Sequence, residues 1–568
     1  MKTVIAGTGK KSIKTLLEEK GVSLYAPCGG RGTCGMCVVN VLSGSCPPSE
    51  TDLEMLRAED IARGMRLACK AFPVGEIVVE TSGGAEPVIL TDYYSGTSPA
   101  SGNAAPDRAF SHSEGSASTS SASFAKDHLY IGIDLGTTTI VLAVLGADGR
   151  PSVTRSFLNP LGKYGADVVS LLEAASNGNL SEMSGLLRKK IKEELESLTT
   201  PIWREFAHPA PGSNEFTGSD TTARYSSGPQ IQIALAGNTV MTHIFMNWDT
   251  SGLGTFPFRP FCLSSAETTL CGFPVYVFPG IGAFVGGDIV AGIYGLDLIN
   301  GKSGDMLMDL GTNGEIVLKT DKGLIATSAS AGPALEGAHI SCGTGCVEGA
   351  VTGITLENLR PVLTVAAASA VSPAATLSPT AAVPGSVTSA PNKGLAGACG
   401  SAILELTDEL LRTGILRPDG SFTESCADEG FAFGTDRNGR VLSLTQADVR
   451  ELQLAKGAVY TAAVMLCEKG GIAPDSLHIS LAGGMGSGLR PERIARTGII
   501  PACASVQAVG NSALGGLMKF LRASSGPETK NTAAKDLSDL AGSVTVYDLA
   551  LDDRFEERFL NSLSFGKR

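Results

Sequence analysis

Residues 131–139 read Ile-Gly-Ile-Asp-Leu-Gly-Thr-Thr-Thr, an apolar run that ends in an acidic residue and a glycine turn rich in hydroxyls. The pattern predicts a β-strand followed by a phosphate-binding turn. Backbone N–H groups and threonine hydroxyls suit phosphate oxygens, and Asp134 suits hydrated Mg²⁺. The phosphate-binding candidates are Gly136, Thr137, Thr138 and Thr139. One such turn is weak evidence, because Gly-Thr turns are common in β-proteins.

A second copy of this pattern, Met-Asp-Leu-Gly-Thr-Asn-Gly-Glu at 308–315, follows about 175 residues later. Here Asp309 would share the Mg²⁺ ion. The phosphate-binding candidates are Gly311, Thr312, Asn313 and Gly314. Two copies indicate a duplicated fold, in which each half presents a phosphate clamp to one nucleotide.

A glycine-rich turn at 481–487, Leu-Ala-Gly-Gly-Met-Gly-Ser, follows a third apolar strand. Its candidates are Gly483, Gly484 and Gly486, which would let a purine or ribose lie against the backbone. In this order the three segments resemble the two phosphate motifs and the adenosine motif of the superfamily of acetate and sugar kinases, Hsp70 and actin. The resemblance covers roughly residues 129–520 and implies a two-lobed α/β ATPase of duplicated ribonuclease H-like fold.

The cysteine pattern near the N-terminus predicts an iron–sulfur site. Cys28, Cys34 and Cys37 are separated by five and two residues, and Cys69 follows after a segment long enough to fold back. Four thiolates can then bind one [2Fe–2S] cluster, while the glycines between them let backbone N–H groups approach the sulfurs. A zinc site or inert cysteines are the alternative, although zinc sites usually present two C-x-x-C pairs.

Residues 1–81 resemble a plant- or adrenodoxin-type ferredoxin domain of β-grasp fold. Strand-like stretches at 3–5, 37–42 and 76–80 and a helical stretch at 12–20 fit such an α+β unit. Only about eleven residues precede the helix. We therefore expect the opening β-hairpin of that fold to be shortened. Cys46 lies outside the motif and is given no role.

Composition divides the remaining chain. Segments poor in large apolar residues cannot form a core and are predicted to be a linker or insertions. Helical patterns at 167–175 and 445–468 alternate with the strands. The predicted units are a ferredoxin-type domain at 1–81, a linker at 82–127, lobe I at 128–300 with an insertion at 207–230, lobe II at 301–524 with an insertion at 365–393, and a C-terminal tail at 525–568.

Charge and cysteine usage exclude several classes of protein. The net charge of −12 over 568 residues, with no block of Lys or Arg, gives no footprint for nucleic acid. No signal peptide or apolar run of membrane-spanning length is evident, so we expect a cytoplasmic protein without a membrane partner. Thirteen cysteines in a reducing compartment favour metal ligation over disulfides.

Further segments resemble the reductive activators of corrinoid proteins. They are AGNTVMTH at 236–243, FVGGDI at 284–289, SAGPALEGAHISCG at 330–343, GACGSAILE at 397–405, QLAKGAVY at 453–460 and GNSALGG at 510–516. The resemblance implies a [2Fe–2S] cluster, ATP and Mg²⁺ as cofactors, and a corrinoid protein or methyltransferase subunit as partner. The activity would be ATP-driven transfer of one electron that converts Co(II) to Co(I). An upstream low-potential electron donor is expected, and a homodimer is compatible with the sequence.

Other assignments stay open at this point. Glu315 or Asp288 would orient the attacking water, and the two aspartates of the phosphate turns would organise Mg²⁺. His243 and Lys456 are expected to be packed or solvated side chains, and Cys342 and Cys346 to be packed thiols. Alternative functions are activation of another low-potential redox enzyme, or a nucleotide-gated ferredoxin module without catalysis of its own. A metabolite kinase gains nothing evident from a redox cluster.

Overall fold

The computed structural model describes most of the chain in separate stretches. The described residues are 2–22, 24, 30, 32, 37–56, 58–81, 128–145, 151–165, 167–206, 230–337, 339–345, 347–366, 393–437, 439–483, 490–524 and 526–566. The predicted linker and nearly all of both predicted insertions therefore lie outside the described residues. Among the helices of these stretches, none combines the length and the apolar character that crossing a bilayer requires.

The N-terminal unit is a four-stranded sheet with three short helices. Its elements are β1 (Lys2–Thr8), α1 (Ile13–Glu18), β2 (Val38–Ser43), α2 (Glu50–Met55), α3 (Ala58–Ala62), β3 (Met65–Leu67) and β4 (Val74–Glu80). The strands lie in the order β1-β4-β2-β3. Ile5, Leu17, Leu67 and Ile77 are fully buried between sheet and helix and form a core separate from those of the lobes. The three predicted strands and the predicted helix are confirmed.

A single strand, rather than a hairpin, precedes α1. β1 pairs antiparallel with β4, from Lys2 opposite Glu80 to Thr8 opposite Val74. Ser12 then begins α1, because its hydroxyl accepts a hydrogen bond from the Thr15 backbone N–H. The expected shortening of the opening hairpin is confirmed.

The C-terminal region contains the larger part of the regular structure. Its strands are β5 (His128–Leu135), β6 (Thr139–Leu145), β7 (Pro151–Leu158), β8 (Gln230–Gly237), β9 (Ala266–Leu270), β10 (Phe273–Val277), β11 (Asp305–Leu310), β12 (Gly314–Thr320), β13 (Gly323–Ala329), β14 (Ala350–Glu357), β15 (Arg360–Val365), β16 (Gly397–Ala398), β17 (Phe431–Thr435), β18 (Val441–Leu444), β19 (His478–Ala482), β20 (Ser505–Gly510) and β21 (Val544–Val546). Its helices are α4 (Val168–Ala174), α5 (Leu180–Phe206), α6 (Thr239–Met246), α7 (Gly287–Gly295), α8 (Gly400–Thr413), α9 (Gln446–Gly470), α10 (Pro491–Thr497), α11 (Ser512–Ala523), α12 (Pro527–Ser543) and α13 (Phe555–Asn561).

Two six-stranded sheets share one topology, and we call the units around them lobe I and lobe II. Their strand orders are β7-β6-β5-β8-β10-β9 and β13-β12-β11-β19-β20, the second extended by β21 beyond β13. In each sheet three consecutive antiparallel strands are followed by a strand parallel to the first of them, β8 or β19, and then by one parallel to that strand, β10 or β20. In lobe I, β9 adds an antiparallel edge next to β10. This repeated order is the predicted duplicated ribonuclease H-like fold. The ends of the first and fourth strands therefore meet at one edge of each sheet.

The two predicted helices of this region are confirmed as α4 and α9. Asp167 caps α4 by accepting from the Ser170 N–H, and Thr445 caps α9 in a capping box with Asp448. α9 ends at Gly471, whose φ of 68° is in the left-handed region. Local capping chemistry thus fixes the boundaries that the apolar pattern indicates.

The lobes are joined where α7 and α11 cross. A Cβ at Gly516 would lie 1.9 Å from the Ala291 carbonyl oxygen, and one at Gly295 would lie 2.8 Å from the Gly516 nitrogen. Only glycine permits this approach. α11 follows a strand of lobe II but packs against β5 and β8 of lobe I. One apolar core, which includes Leu514 and Leu307, therefore continues from one lobe into the other.

The C-terminal segment, predicted as a tail at 525–568, is part of lobe II, so that description was wrong. α12 packs against α7 and α11, β21 pairs in parallel with β13, and α13 packs against α9. The buried ammonium of Lys456 donates to the carbonyl oxygens of Ser562 and Ser564, both at 2.5 Å. The sequence pattern did not reveal this role because a single buried lysine has no distinctive spacing.

Replacing Lys456 by alanine should destabilise the protein, because two buried carbonyl groups lose a charged donor. We expect the Tm to fall by at least about 4 °C, which corresponds to roughly 1.5–2 kcal/mol. Lys535→Ala, on the exposed face of α12, is the control and should leave the Tm unchanged. Thermal unfolding of both variants decides the matter, and equal Tm values would contradict the role given to Lys456.

Candidate functional site

Two of the four predicted cluster ligands lie close together at neighbouring strands. Cys37 and Cys69 are buried, and the Ala68 N–H donates to the Cys37 carbonyl at 2.9 Å. Gly30, with φ of 91°, lies beside them, since a Cβ there would be 3.8 Å from that of Cys69. Cys28 and Cys34 lie outside the described residues. Two adjacent buried thiols beside a left-handed glycine fit a cluster-binding loop.

The first phosphate turn joins β5 to β6. Asp134 is the penultimate residue of β5 and lies opposite Ala236 of the parallel strand β8. Asn238, which caps α6, donates to the Thr137 hydroxyl at 2.9 Å, and Asn159 donates to the Gly136 carbonyl at 2.9 Å. The turn therefore has a fixed shape before any ligand binds. Thr138 and Thr139 follow it, Thr139 being the first residue of β6.

The second phosphate turn joins β11 to β12 in the same way. Asp309 lies opposite Glu315 in the antiparallel pair and opposite Ala482 in the parallel pair. The Gly311 N–H donates to the Asn313 carbonyl at 2.9 Å, which closes the turn. The Thr312 hydroxyl donates to Glu336 at 2.7 Å. Gly314 begins β12.

The third segment reaches the second turn at Gly483. A Cβ there would lie 2.2 Å from the Leu310 carbonyl oxygen and 3.0 Å from an Asp309 carboxylate oxygen. With φ of 108°, this position requires glycine on both counts. Gly484 and Gly486 lie outside the described residues, so their predicted contact with adenosine stays a prediction.

Asn511 and Ser512, to which the sequence analysis gives no role, connect both turns. The Asn511 side-chain amide donates to Asp134 at 2.6 Å, and the Ser512 hydroxyl donates to Asp309 at 3.2 Å. Asn511 also caps α11 by accepting from the Leu514 N–H. One helix N-terminus thus holds a carboxylate from each lobe. A polar pair at the start of an apolar helix is a weak signal, because it is also the ordinary signature of an N-cap.

Half-buried carboxylates concentrate negative charge at this site. Burial raises the pKa of Asp134 to about 6 and, together with neighbouring carboxylates, the pKa of Asp288 and of Asp309 to about 7. Burial and the charges of Asp288 and Asp309 also raise the pKa of Glu315 well above its ordinary value. Asp288 is in the first turn of α7. The predicted catalytic carboxylates are therefore close enough to interact, and each is destabilised as an anion.

Such a site suits a hydrated cation. Among the described residues, no group of three His, Cys, Asp or Glu side chains is arranged to bind a metal ion by itself. Mg²⁺ commonly uses only one or two carboxylates and completes its shell with water and phosphate oxygens. Asp134 and Asp309, held from one helix, fit that donor set. A phosphate-bound Mg²⁺ would also relieve the repulsion between the carboxylates.

His243 and Lys456 have structural roles, as expected. His243 is buried in α6, where its Nδ1 lies 2.7 Å from the Thr239 carbonyl, and burial lowers its pKa. Cys342 is buried in the core of lobe II, and burial raises the pKa of its thiol. Cys346 lies outside the described residues. Cys46 is buried in the N-terminal core.

Comparison with known families divides the chain into three matched regions. Residues 2–74 match the 2Fe-2S iron-sulfur cluster binding domain. Residues 129–204 and 221–300 match the RACo middle region, and residues 304–568 match the C-terminal domain of RACo, the ASKHA domain. The fold and the site thus define a ferredoxin-type domain fused to an actin-like ATPase domain. The chain belongs to the RACo family, whose regions it contains in this order.

Individual relatives agree with this assignment. The corrinoid activation enzyme RamQ of Eubacterium limosum is 28% identical over 472 residues, which span 77% of this chain and 70% of that protein. One solved structure, that of a reductive activator for corrinoid, iron-sulfur protein, is 20% identical in sequence to this chain. The two structures superpose with a TM-score of 0.61 over 99% of this chain and 96% of that one. That likeness supports the fold.

The N-terminal region also resembles part of a different protein. It is 35% identical over 69 residues to a component of the Na(+)-translocating NADH-quinone reductase of Chlamydia felis, which is 12% of this chain and 15% of that protein. The shared part is confined to the ferredoxin-type domain. The match therefore says nothing about the lobes.

Asn511→Ala should weaken Mg-ATP binding, because Asp134 loses the amide that orients it. We expect about a tenfold rise in the Kd of Mg-ATP, measured by calorimetry, which is about 1.4 kcal/mol. Asn511→Ser is the matched control for capping, since serine also caps helices but is too short to replace the amide. It should keep the Tm and lose the same affinity. Wild-type affinity in Asn511→Ser would contradict the proposed role.

Asp288→Asn should stabilise the nucleotide-free protein at neutral and alkaline pH. The folded pKa, about 7, exceeds the ordinary value of 3.8, so the folded state binds more protons than the unfolded state between these values. The free energy of unfolding therefore falls as the pH rises from about 4 to about 7. Asparagine does not ionise, so the variant does not lose this free energy of unfolding as the pH rises.

Thermal unfolding at pH 5 and at pH 8 measures the effect. We expect the Tm of Asp288→Asn to exceed that of wild type by about 3 °C at pH 8 and by less at pH 5. Asp297→Asn, at the C-terminal side of the same helix and exposed, serves as control. A lower Tm of Asp288→Asn at pH 8 would refute the argument.

Proposed function

We propose that the chain is an ATP-dependent reductive activator that converts a corrinoid protein from the Co(II) to the Co(I) state. The observation that carries this proposal is the presence in one chain of a ferredoxin-type domain and of two lobes whose aspartates, Asp134 and Asp309, are held by one helix N-terminus. Its membership of the RACo family and its likeness to a corrinoid activation enzyme support the choice of partner. The partner would be a corrinoid protein or a methyltransferase subunit, and an upstream low-potential donor would supply the electron.

Within the proposed function each unit has a task. Residues 1–81 would carry the electron, the linker 82–127 would tether them, and 128–300 and 301–524, with the C-terminal segment, would form the ATPase. A [2Fe–2S] cluster bound by Cys28, Cys34, Cys37 and Cys69 would supply a one-electron carrier. The two phosphate turns would bind ATP through Gly136, Thr137, Thr138, Thr139, Gly311, Asn313 and Gly314, and Asp134 and Asp309 would hold the water shell of Mg²⁺.

The energetic problem defines the role of ATP. Plant-type clusters lie near about −400 mV, and every 100 mV uphill costs about 2.3 kcal/mol for one electron. We propose that ATP and Mg²⁺ draw the two lobes together by neutralising the carboxylates of both. This closure would change the affinity of the chain for its partner. Such a change assists reduction only if the chain binds the Co(I) form of the partner more tightly than the Co(II) form.

An anaerobic reduction assay tests the proposal. The reconstituted full-length chain, an artificial low-potential reductant and a corrinoid protein in the Co(II) form should yield the absorption band of Co(I), with a yield that requires ATP. Cys34→Ala should lower the rate at least about 100-fold because the cluster loses a ligand. Cys46→Ala, in the same domain but outside the motif, is the matched control and should keep the wild-type rate.

Three other results would reject the proposal in part or in whole. Formation of Co(I) at the same rate without ATP would favour a nucleotide-gated or passive electron conduit. ATP hydrolysis without reduction of any corrinoid protein tested would favour activation of another redox enzyme. Material with neither bound iron and sulfide nor affinity for adenine nucleotides would reject the whole proposal.

A further inference from the structure

We propose that Glu336, acting through the hydroxyl of Thr312, accepts the proton of the water that attacks the γ-phosphate of ATP. The inference rests on ATP hydrolysis in the cleft, which is part of the proposed function. It gives a role to a carboxylate that the two phosphate turns themselves do not contain. Thr312 would be the catalytic residue in contact with the water, and Glu336 a positioning residue behind it.

The hydrogen bond between the two side chains sets the polarity of the hydroxyl. Thr312 Oγ1 donates to Glu336 Oε2 at 2.7 Å. A threonine hydroxyl has one hydrogen, so with this bond in place its oxygen can only accept further hydrogen bonds. A phosphate oxygen offers no hydrogen, whereas a water molecule does. Thr312, which the sequence predicts to bind phosphate, is therefore better suited to hold a water molecule, and the other residues of the turn would hold the phosphate.

The turn that carries Glu336 is fixed by close packing. Glu336 ends a short 3-10 turn, Pro333–Glu336, and Gly337 follows with φ of 86°. A Cβ at Gly400 would lie 1.8 Å from the Leu335 carbonyl oxygen, and one at Gly343 would lie 1.8 Å from the Gly337 carbonyl oxygen. The turn is thus pressed against the start of α8. Glu336 approaches the second phosphate turn from outside it, since a Cβ at Gly311 would be 3.4 Å from Glu336 Oε1.

Position favours Glu336 over Glu315 and Asp288, the two carboxylates predicted for this task, because Glu336 accepts the hydrogen bond of a turn hydroxyl. Burial raises the pKa of Glu336, and the hydrogen bond from Thr312 opposes that rise and stabilises the anion. Glu315 lies directly opposite Asp309 in the antiparallel pair, among the carboxylates that would hold the water shell of Mg²⁺. Asp288 uses one carboxylate oxygen to accept from the Ile289 N–H.

The proposed step is balanced without another reactant. The water oxygen bonds to the γ-phosphorus, and the bond from this phosphorus to the oxygen that bridges to the β-phosphate breaks, which gives ADP and inorganic phosphate. A water proton passes to Thr312 Oγ1 while the proton of Thr312 passes to Glu336 Oε2. Glu336 then returns a proton to solvent when the cleft opens.

Hydrolysis by the full-length chain at saturating Mg-ATP, measured as phosphate release, tests this pair. Glu336→Gln and Thr312→Ala should each lower the rate about 100-fold or more, the usual contribution of proton transfer. The Kd of Mg-ATP should stay within about threefold of wild type, since neither side chain is required for phosphate binding. Thr312→Ser keeps the hydroxyl and should retain hydrolysis within about threefold.

The double variant Glu336→Gln/Thr312→Ala separates a shared relay from two independent effects. Substitutions of residues that act in one relay do not have additive effects on the rate. The double variant should therefore be no more than about threefold slower than the slower single variant. The relay would be overturned if Glu336→Gln hydrolysed ATP at the wild-type rate, if the variants lost rate and Mg-ATP affinity in parallel, or if the losses of the two single variants added up in the double variant. None of these results would contradict ATP-driven reduction. A wild-type chain that neither binds nor hydrolyses ATP would overturn the proposed function and the relay together.

Discussion

The structure of the site depends on the two hydrogen bonds made at the start of α11. Asn511 and Ser512 hold Asp134 and Asp309, and these carboxylates end the central strands of different lobes. Without such donors the two anions would repel one another across a poorly hydrated cleft. Because adjacent residues of one helix make both contacts, the distance between the two phosphate turns is set by that helix. The geometry of the proposed nucleotide site is therefore built into the junction between the lobes.

The same junction explains the glycines of α7 and α11. Asp288 belongs to α7, and Ser512 begins α11, so the crossing of these helices brings a third carboxylate towards the other two. A Cβ at Gly292 would lie 2.8 Å from the Ser512 hydroxyl. A larger residue there would displace the donor to Asp309. The packing of small residues and the concentration of charge are consequently parts of one arrangement.

Much of this could be predicted from the sequence, because strand-turn signals are local. The two Asp-Leu-Gly-Thr turns, the capped helices and the cysteine spacing each occupy a short segment, and together they indicate the fold and the pairing of domains. Glu336 escaped although Thr312 is only 24 residues away, because a short 3-10 turn has no distinctive periodicity. Asn511 and Ser512 escaped because their partners lie 377 and 203 residues away in the chain. A hydrogen bond of that kind leaves no periodic pattern. The folded C-terminal segment escaped for the same reason, since its contacts with β13 and α9 are made at long range.

The position of β21 has a consequence for synthesis in the cell. This strand pairs with β13 through residues as far apart in the chain as Leu324 and Val544, and it forms the edge of the sheet whose centre is β11 and β12. Lys456, near the middle of α9, likewise donates hydrogen bonds to carbonyl groups that lie about a hundred residues later in the chain. Lobe I can close its sheet while the ribosome is still translating, whereas lobe II stays open at one border until β21, which is synthesised much later than β13, emerges. A cell that stalls or truncates translation there would release a polypeptide with an exposed strand edge, which is prone to aggregate.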